Sequence, residues 1–145
     1  MKNLAIIVIF LSVFSSCTKD NKENTTTADY HGKWTLVKMS GSIFNSQTTG
    51  TAMEWQEFYV FGDKGTFTKF RTRNTIQTTA SGTYIAKNNQ DGMVLELTYP
   101  KNSEIIGSCY GNQKEELYFS AKNTLSSTWQ NCDGPGLDYQ KIEIY

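Results

Sequence analysis

From about Gly32 onward, short runs rich in Thr, aromatic and aliphatic residues alternate with clusters of Gly, Asn and Asp. Runs of this length between turn residues have the spacing of antiparallel strands, and no helix is expected. The pattern predicts strands near Lys33–Met39, Glu54–Phe61, Thr66–Arg73, Thr79–Lys87, Met93–Tyr99, Ser103–Cys109, Glu115–Ala121, Leu125–Asn131 and Leu137–Tyr145. Aromatic residues make up 13% of the chain and only two prolines occur, a mixture that suits pleated, half-buried strands. The whole sequence is 145 residues long, which leaves room for one domain with a single core.

Gly62-Asp63-Lys64-Gly65 is the clearest turn, since Asp favours turn initiation and Gly65 can take the left-handed conformation of a bulged hairpin loop. If Gly62 closes against Thr66, then Phe61 faces Phe67, Tyr59 faces Lys69, Glu57 faces Arg71 and Trp55 faces Arg73. All four are favourable cross-strand pairs. The other face carries Phe58, Val60, Thr68 and Phe70. A second turn at Asn88 to Gly92 leads into Met93, Leu95, Leu97 and Tyr99, which alternate with Val94, Glu96 and Thr98. Lys122-Asn123 turns a third hairpin, joining Leu117 and Phe119 to Leu125 and Trp129. Successive hairpins with one apolar face favour an all-β fold, a small antiparallel up-and-down β-barrel of about eight strands, because closure removes exposed edges. Such a barrel is wide enough to be filled by side chains or to hold one small ligand. With nine candidate strands, one is expected to be split or to lie outside the barrel.

Ahead of this domain, Met1-Lys2-Asn3 gives a basic start, Leu4 to Phe14 is almost unbroken apolar sequence, and Ser15-Ser16 places small residues before Cys17. This is the layout of a secretion leader, and its apolar run falls short of the roughly 20 residues of a membrane-crossing helix. The small pair followed by Cys resembles the bacterial lipobox, with Phe14 where that family usually has Leu. The resemblance implies a diacylglycerol on the Cys17 sulfur and cleavage on its N-terminal side. More than one acyl chain is what stable anchoring requires. The expected organisation is a signal peptide over 1–16, a lipidated cysteine and polar tether over 17–31, and a barrel domain over 32–145. Thr18 to Asp29 is polar throughout and would reach about 40 Å when stretched. Its start, Lys19-Asp20-Asn21-Lys22-Glu23, resembles the acidic tethers that direct some Bacteroidota lipoproteins to the cell surface. The expected location is therefore the cell envelope, at the outer membrane, with the membrane engaged through lipid on Cys17.

Three cysteines in an exported chain leave one unpaired. Lipidation of Cys17 removes the anomaly and frees Cys109 and Cys132 to form a disulfide, two separate reduced thiols being the alternative. Acidic and basic residues number 14 each, and loss of Lys2 with the leader gives 13 minus 14, a net charge of −1. That balance gives no pull toward nucleic acid.

Gly32-Lys33-Trp34, Phe61 with Gly65-Thr66-Phe67, and Gly82-Thr83-Tyr84, in this order behind a lipoprotein leader, resemble the lipocalin-like domains of small Bacteroidota lipoproteins. The resemblance implies that Gly32 begins the first strand and that Trp34 plugs one barrel end, usually beneath an arginine from the last strand. Here the last strand offers Lys141 and no Arg, and Asp138-Tyr139 comes too late to match the Thr-Asp-Tyr motif of the best-studied lipocalins. It further implies a barrel that binds a small, largely hydrophobic molecule. The alternative is an envelope protein-interaction module, such as a hydrolase inhibitor, working through the loops Gly41 to Thr51 and Asn131 to Gly136.

No catalytic constellation is expected. His31 is the only histidine and has no partner for a metal site or triad, and Asn88 to Gly92 lacks the oxygen spacing of a calcium loop. No metal or cofactor is assigned, and the chain is read as a non-enzyme. Alternation puts Lys69, Arg71 and Arg73 on one strand face. A solvated outer face is the expectation, because inward charges must be paired to offset desolvation. Were they inward, they would form an anion-recognising end of the cavity.

Overall fold

The computed structural model describes residues 29–90 and 92–142, so the readings made for the leader, for Cys17 and for nearly all of the tether fall outside the described residues. Among the described residues nine strands form: β1 (Gly32–Ser40), β2 (Thr48–Thr49), β3 (Gln56–Phe61), β4 (Thr66–Arg73), β5 (Ile76–Asn89), β6 (Gly92–Thr98), β7 (Lys114–Ala121), β8 (Thr124–Ser127) and β9 (Gly136–Lys141). From β3 on, each strand pairs antiparallel with the next, and β1 closes the ring between β9 and β3. The protein is thus an all-β, eight-stranded up-and-down barrel, the layout of lipocalin-like barrels. The two residues of β2, which no candidate strand covered, pair only with β1 and lie outside the ring, while the surplus candidate Ser103–Cys109 forms no strand.

The Gly62 turn sets the register from which the rest follows. The Gly62 N–H donates to the Thr66 carbonyl at 2.8 Å, and Gly65 takes a φ of 67°, which few residues other than glycine adopt without strain. Phe61 then faces Phe67, Tyr59 faces Lys69 and Glu57 faces Arg71, the pairing read from the sequence. A second glycine is dictated by closeness. A Cβ on Gly82 would stand 2.1 Å from the Thr98 carbonyl oxygen, so β5 can lie against the end of β6 only without one.

Two predicted strands differ. Ser103–Cys109 is no strand but part of a long loop, 99–113, because its backbone groups bond to buried side chains instead of to a neighbouring strand. Leu125–Asn131 stops early as β8: the Ser127 hydroxyl accepts the Trp129 N–H at 3.1 Å and opens a 3-10 turn over Thr128–Cys132. Ser127 acts there as a helix cap.

The up-and-down topology sorts the connections between two ends. The chain enters at the base, with Gly32, the 62–65 turn, the β5–β6 hairpin and the Lys122-Asn123 turn. The connections 41–55, 74–75, 99–113 and 128–135 lie at the opposite end, the mouth. Trp34 is buried at the base, its indole Nε1 donating to the Tyr30 carbonyl at 2.8 Å and its ring meeting Phe119 edge-on. Gly32 begins β1 with a φ of 100°. Lys141 pairs opposite Trp34 in register, but its Nζ reaches Asp29 Oδ2 at 2.6 Å instead of the indole face.

Candidate functional site

Lys69, Arg71 and Arg73 do share one face of β4, and that face is the interior. The expectation of a solvated outer surface is therefore wrong for the first two. Lys69 is 0% exposed and Arg71 8%, while Arg73 at the rim stays solvated. The reason is pairing from two other strands, Glu57 on β3 and Glu115 on β7, both buried. Lys69 Nζ donates to Glu115 Oε1 at 2.6 Å and to the Ile105 carbonyl at 2.6 Å, and lies 3.3 Å from Glu57 Oε1. Two of the ammonium protons are thus bonded, and the Glu57 carboxylate adds an ion pair.

The remaining oxygens are taken as well. Arg71 Nε donates to Glu57 Oε2, and its Nη2 donates to the Ile105 carbonyl at 3.3 Å. Tyr139 donates its hydroxyl proton to Glu57 Oε1 at 2.5 Å. Tyr59 donates to Glu115 Oε2 at 2.8 Å, Tyr99 donates to the same oxygen, and the Gly107 N–H donates to Glu115 Oε1. Burial pushes the hydroxyls of Tyr59, Tyr99 and Tyr139 well above the usual tyrosine range, and the nearby carboxylates push them further. Two cations, two carboxylates and three phenols thus form one charge-balanced, hydrogen-bonded network inside the barrel.

Around this network the interior is solid. Trp34, Leu36, Tyr59, Phe61, Phe67, Leu95, Leu97, Leu117, Leu125, Leu137 and Tyr139 are each covered to within 2%. A ligand-sized chamber would leave its lining uncovered, whereas these walls touch one another. This barrel belongs to the side-chain-filled kind.

At the mouth, loop 99–113 is drawn inward by Ile105, 1% exposed, whose carbonyl is held by both Lys69 and Arg71. The disulfide Cys109–Cys132, with Cα atoms 5.4 Å apart, fastens this loop to the 128–135 connection. Trp129 packs between Gly107 and Gly134, where an added Cβ would meet the indole at 2.6 and 2.3 Å. The two loops therefore form one stapled rim. Beside it, against the β4–β5 turn, a cleft of about 330 Å³ is lined by Arg71, Arg73, Ile76, Thr78, Glu104 and Ile105 among others. Trp55 underlies both guanidiniums, its ring centre 4.3 Å from Arg71 and 5.7 Å from Arg73, and Arg73 also pairs with Glu54.

The large apolar side chains left exposed are concentrated here. Ile43 and Phe44 on loop 41–55, Ile76 beside the 74–75 turn and Tyr110 on loop 99–113 are 67–91% exposed. Val60 and Ile85 lie on the barrel wall and Ile142 at the base. His31 is also at the base, 3.3 Å from Asp29 and away from the mouth. Among the described residues no three metal-binding groups converge.

Sequence reasoning placed the basic residues of β4 and Glu57 on one face but missed Glu115 and Ile105. Parity was the usable signal for Glu115, since it shares its strand face with Leu117 and Phe119. Nothing comparable marked Ile105, because a loop has no period.

Compared with protein-family models and with curated proteins, the chain matches none. Fold and site define a class on their own: a closed antiparallel barrel with a filled interior and a mouth built from disulfide-joined loops.

Proposed function

We propose that this protein is a lipid-anchored, lipocalin-like binding protein of the cell envelope, not an enzyme, that recognises an envelope protein partner through its mouth. One observation carries the reading: the interior is packed solid while the exposed Ile43, Phe44 and Tyr110 on two connections, and Ile76 at the start of β5, lie at one end. Exposed apolar groups gathered in this way mark interaction surfaces. The chain enters the barrel at the opposite end, so a tether to Cys17 would leave the mouth facing away from the membrane. Lipidation is supported by the leader before Cys17 and by parity, since the Cys109–Cys132 bond accounts for the other two cysteines. A non-catalytic role is supported by Glu57 and Glu115, which are buried and wholly engaged by cations, phenols and a backbone N–H.

Site-specific photo-crosslinking in intact cells tests the reading. A photoreactive residue at Phe44 or Tyr110 should give one defined protein adduct, and the same residue at Val60 or Ile142 should give none. Equal adducts from all four sites, or none from the mouth, would refute it.

A second reading, a small and largely hydrophobic ligand, is favoured by the 330 Å³ cleft and its exposed Ile76 wall. Its volume is at the lower end of small-molecule sites. Native mass spectrometry of protein taken from its own host would show a co-purifying molecule that is lost in Ile76→Asp.

A further inference from the structure

Three basic residues on one strand suggest an anion site, but their partners argue otherwise. Lys69 is shared by Glu57 and Glu115, Arg71 is held by Glu57, and Arg73 is held by Glu54. An incoming anion would have to displace a carboxylate already in place. Counting Glu104, four carboxylates face three cations in and behind the cleft, which leaves one negative charge. That charge sits on Glu104, whose one hydrogen bond comes from the uncharged Thr78 hydroxyl at 3.2 Å; no cation lies within 4.0 Å of it among the described residues. The same cleft offers Ile76, 70% exposed, as an apolar wall.

We propose that the mouth cleft is a binding site for an aliphatic ammonium group, with the charged head on Glu104 and the alkyl chain along Ile76. This deepens the mouth-recognition reading and rests on it, naming the chemistry that the mouth selects. A lysine side chain of a protein partner and a free alkylamine both carry that group. The cleft's size suits one side chain or one short amine. The paired guanidiniums of Arg71 and Arg73 line the same cleft and disfavour a second positive charge on the ligand, so a single-headed amine fits better than a polyamine.

The test uses the full chain, disulfide intact, with its isoleucine methyl groups labelled for NMR at pH 7. Hexylamine and N-acetyl-lysine methylamide should shift the Ile76 methyl signals saturably, and hexanoate and hexanol should not. Glu104→Gln, an exposed substitution, should weaken ammonium binding by about tenfold, the scale of one charge-assisted hydrogen bond. Ile76→Ser should weaken it too while leaving the spectrum folded. Hexanoate binding as tightly as hexylamine, or equal amine affinity in Glu104→Gln, would overturn the proposal. Tighter binding of the lysine derivative points to a protein source and tighter hexylamine to a free amine, and both uphold the ammonium chemistry. If ammonium binding fails while crosslinking from Phe44 and Tyr110 persists, this inference falls and the mouth reading stands. Ammonium binding without crosslinking would do the reverse.

Discussion

Lys69 is accommodated inside a barrel because Glu57 and Glu115 both pair with it and the Ile105 carbonyl accepts a hydrogen bond from its ammonium. Removing one member leaves the others buried and unpaired, which costs more than the intact network contributes. Lys69→Met is therefore expected to lower unfolding free energy by about 3–5 kcal/mol in urea titrations. The solvated pair Arg73–Glu54 is a built-in control, and Glu54→Gln should cost less than about 1 kcal/mol. The tyrosines make a separate prediction. Tyr59, Tyr99 and Tyr139 ionise far more readily in the unfolded chain, near pH 10, than when buried in the fold. Their folded values are raised, so stability should hold steady up to about pH 9 and fall above about pH 10 by about 4 kcal/mol per pH unit for the three. Absorbance at 295 nm should show these phenols ionising only as the barrel unfolds. The sequence held half of this site. Cross-strand register predicted Glu57 opposite Arg71, but which face was inner depended on Glu115, some 40 residues further along, whose contribution no local pattern carries.

The hairpins were legible because each is a local event: a turn residue sets the register, and alternation sorts the faces. Phe61 against Phe67 and the run Leu95, Leu97, Tyr99 fall into place for this reason. Loop 99–113 was not legible for the opposite reason. Ser103 to Cys109 offers Ile105 and Ile106 among polar residues and looks like a short strand, but its fold is decided by side chains on β4 and β7 that catch its backbone. The disulfide then fixes what the network begins. It encloses a span of 23 residues, for which chain entropy gives about 3 kcal/mol. The Cys109→Ser, Cys132→Ser double variant is expected to lose about that much stability. Amide hydrogen exchange should localise the change. Residues 99–113 and 128–135 should exchange faster, while β3 and β4 keep native protection at short times.

On the scale of the whole molecule, a solid interior separates two uses of one architecture. A hollow barrel takes its ligand inside, whereas a filled one binds on its surface, and here most of the exposed large apolar side chains lie at the rim. A fluorescent fatty acid is accordingly expected not to enter this barrel, its emission staying at the level seen with a loop-blocked control, and Arg71→Ala should leave that result unchanged. Uptake with a shift in Tyr139 or Leu97 signals would show that the interior opens. The proposed anchor makes the rim reading a matter of geometry as well. A chain leaving the base on a tether of at most about 40 Å would confine the mouth to a thin layer above the membrane, raising its effective concentration toward partners held there. Cys17→Ala separates anchoring from folding, since Cys17 precedes the described residues and Cys109 and Cys132 are bonded to each other. The variant is expected to move from the membrane to the soluble envelope fraction with its melting temperature and disulfide intact, and its mouth crosslinks should drop sharply. Retention at the membrane would overturn lipidation at this residue. Release with crosslinks undiminished would show that the partner is not membrane-held, and would leave the mouth as the binding surface without the need for an anchor.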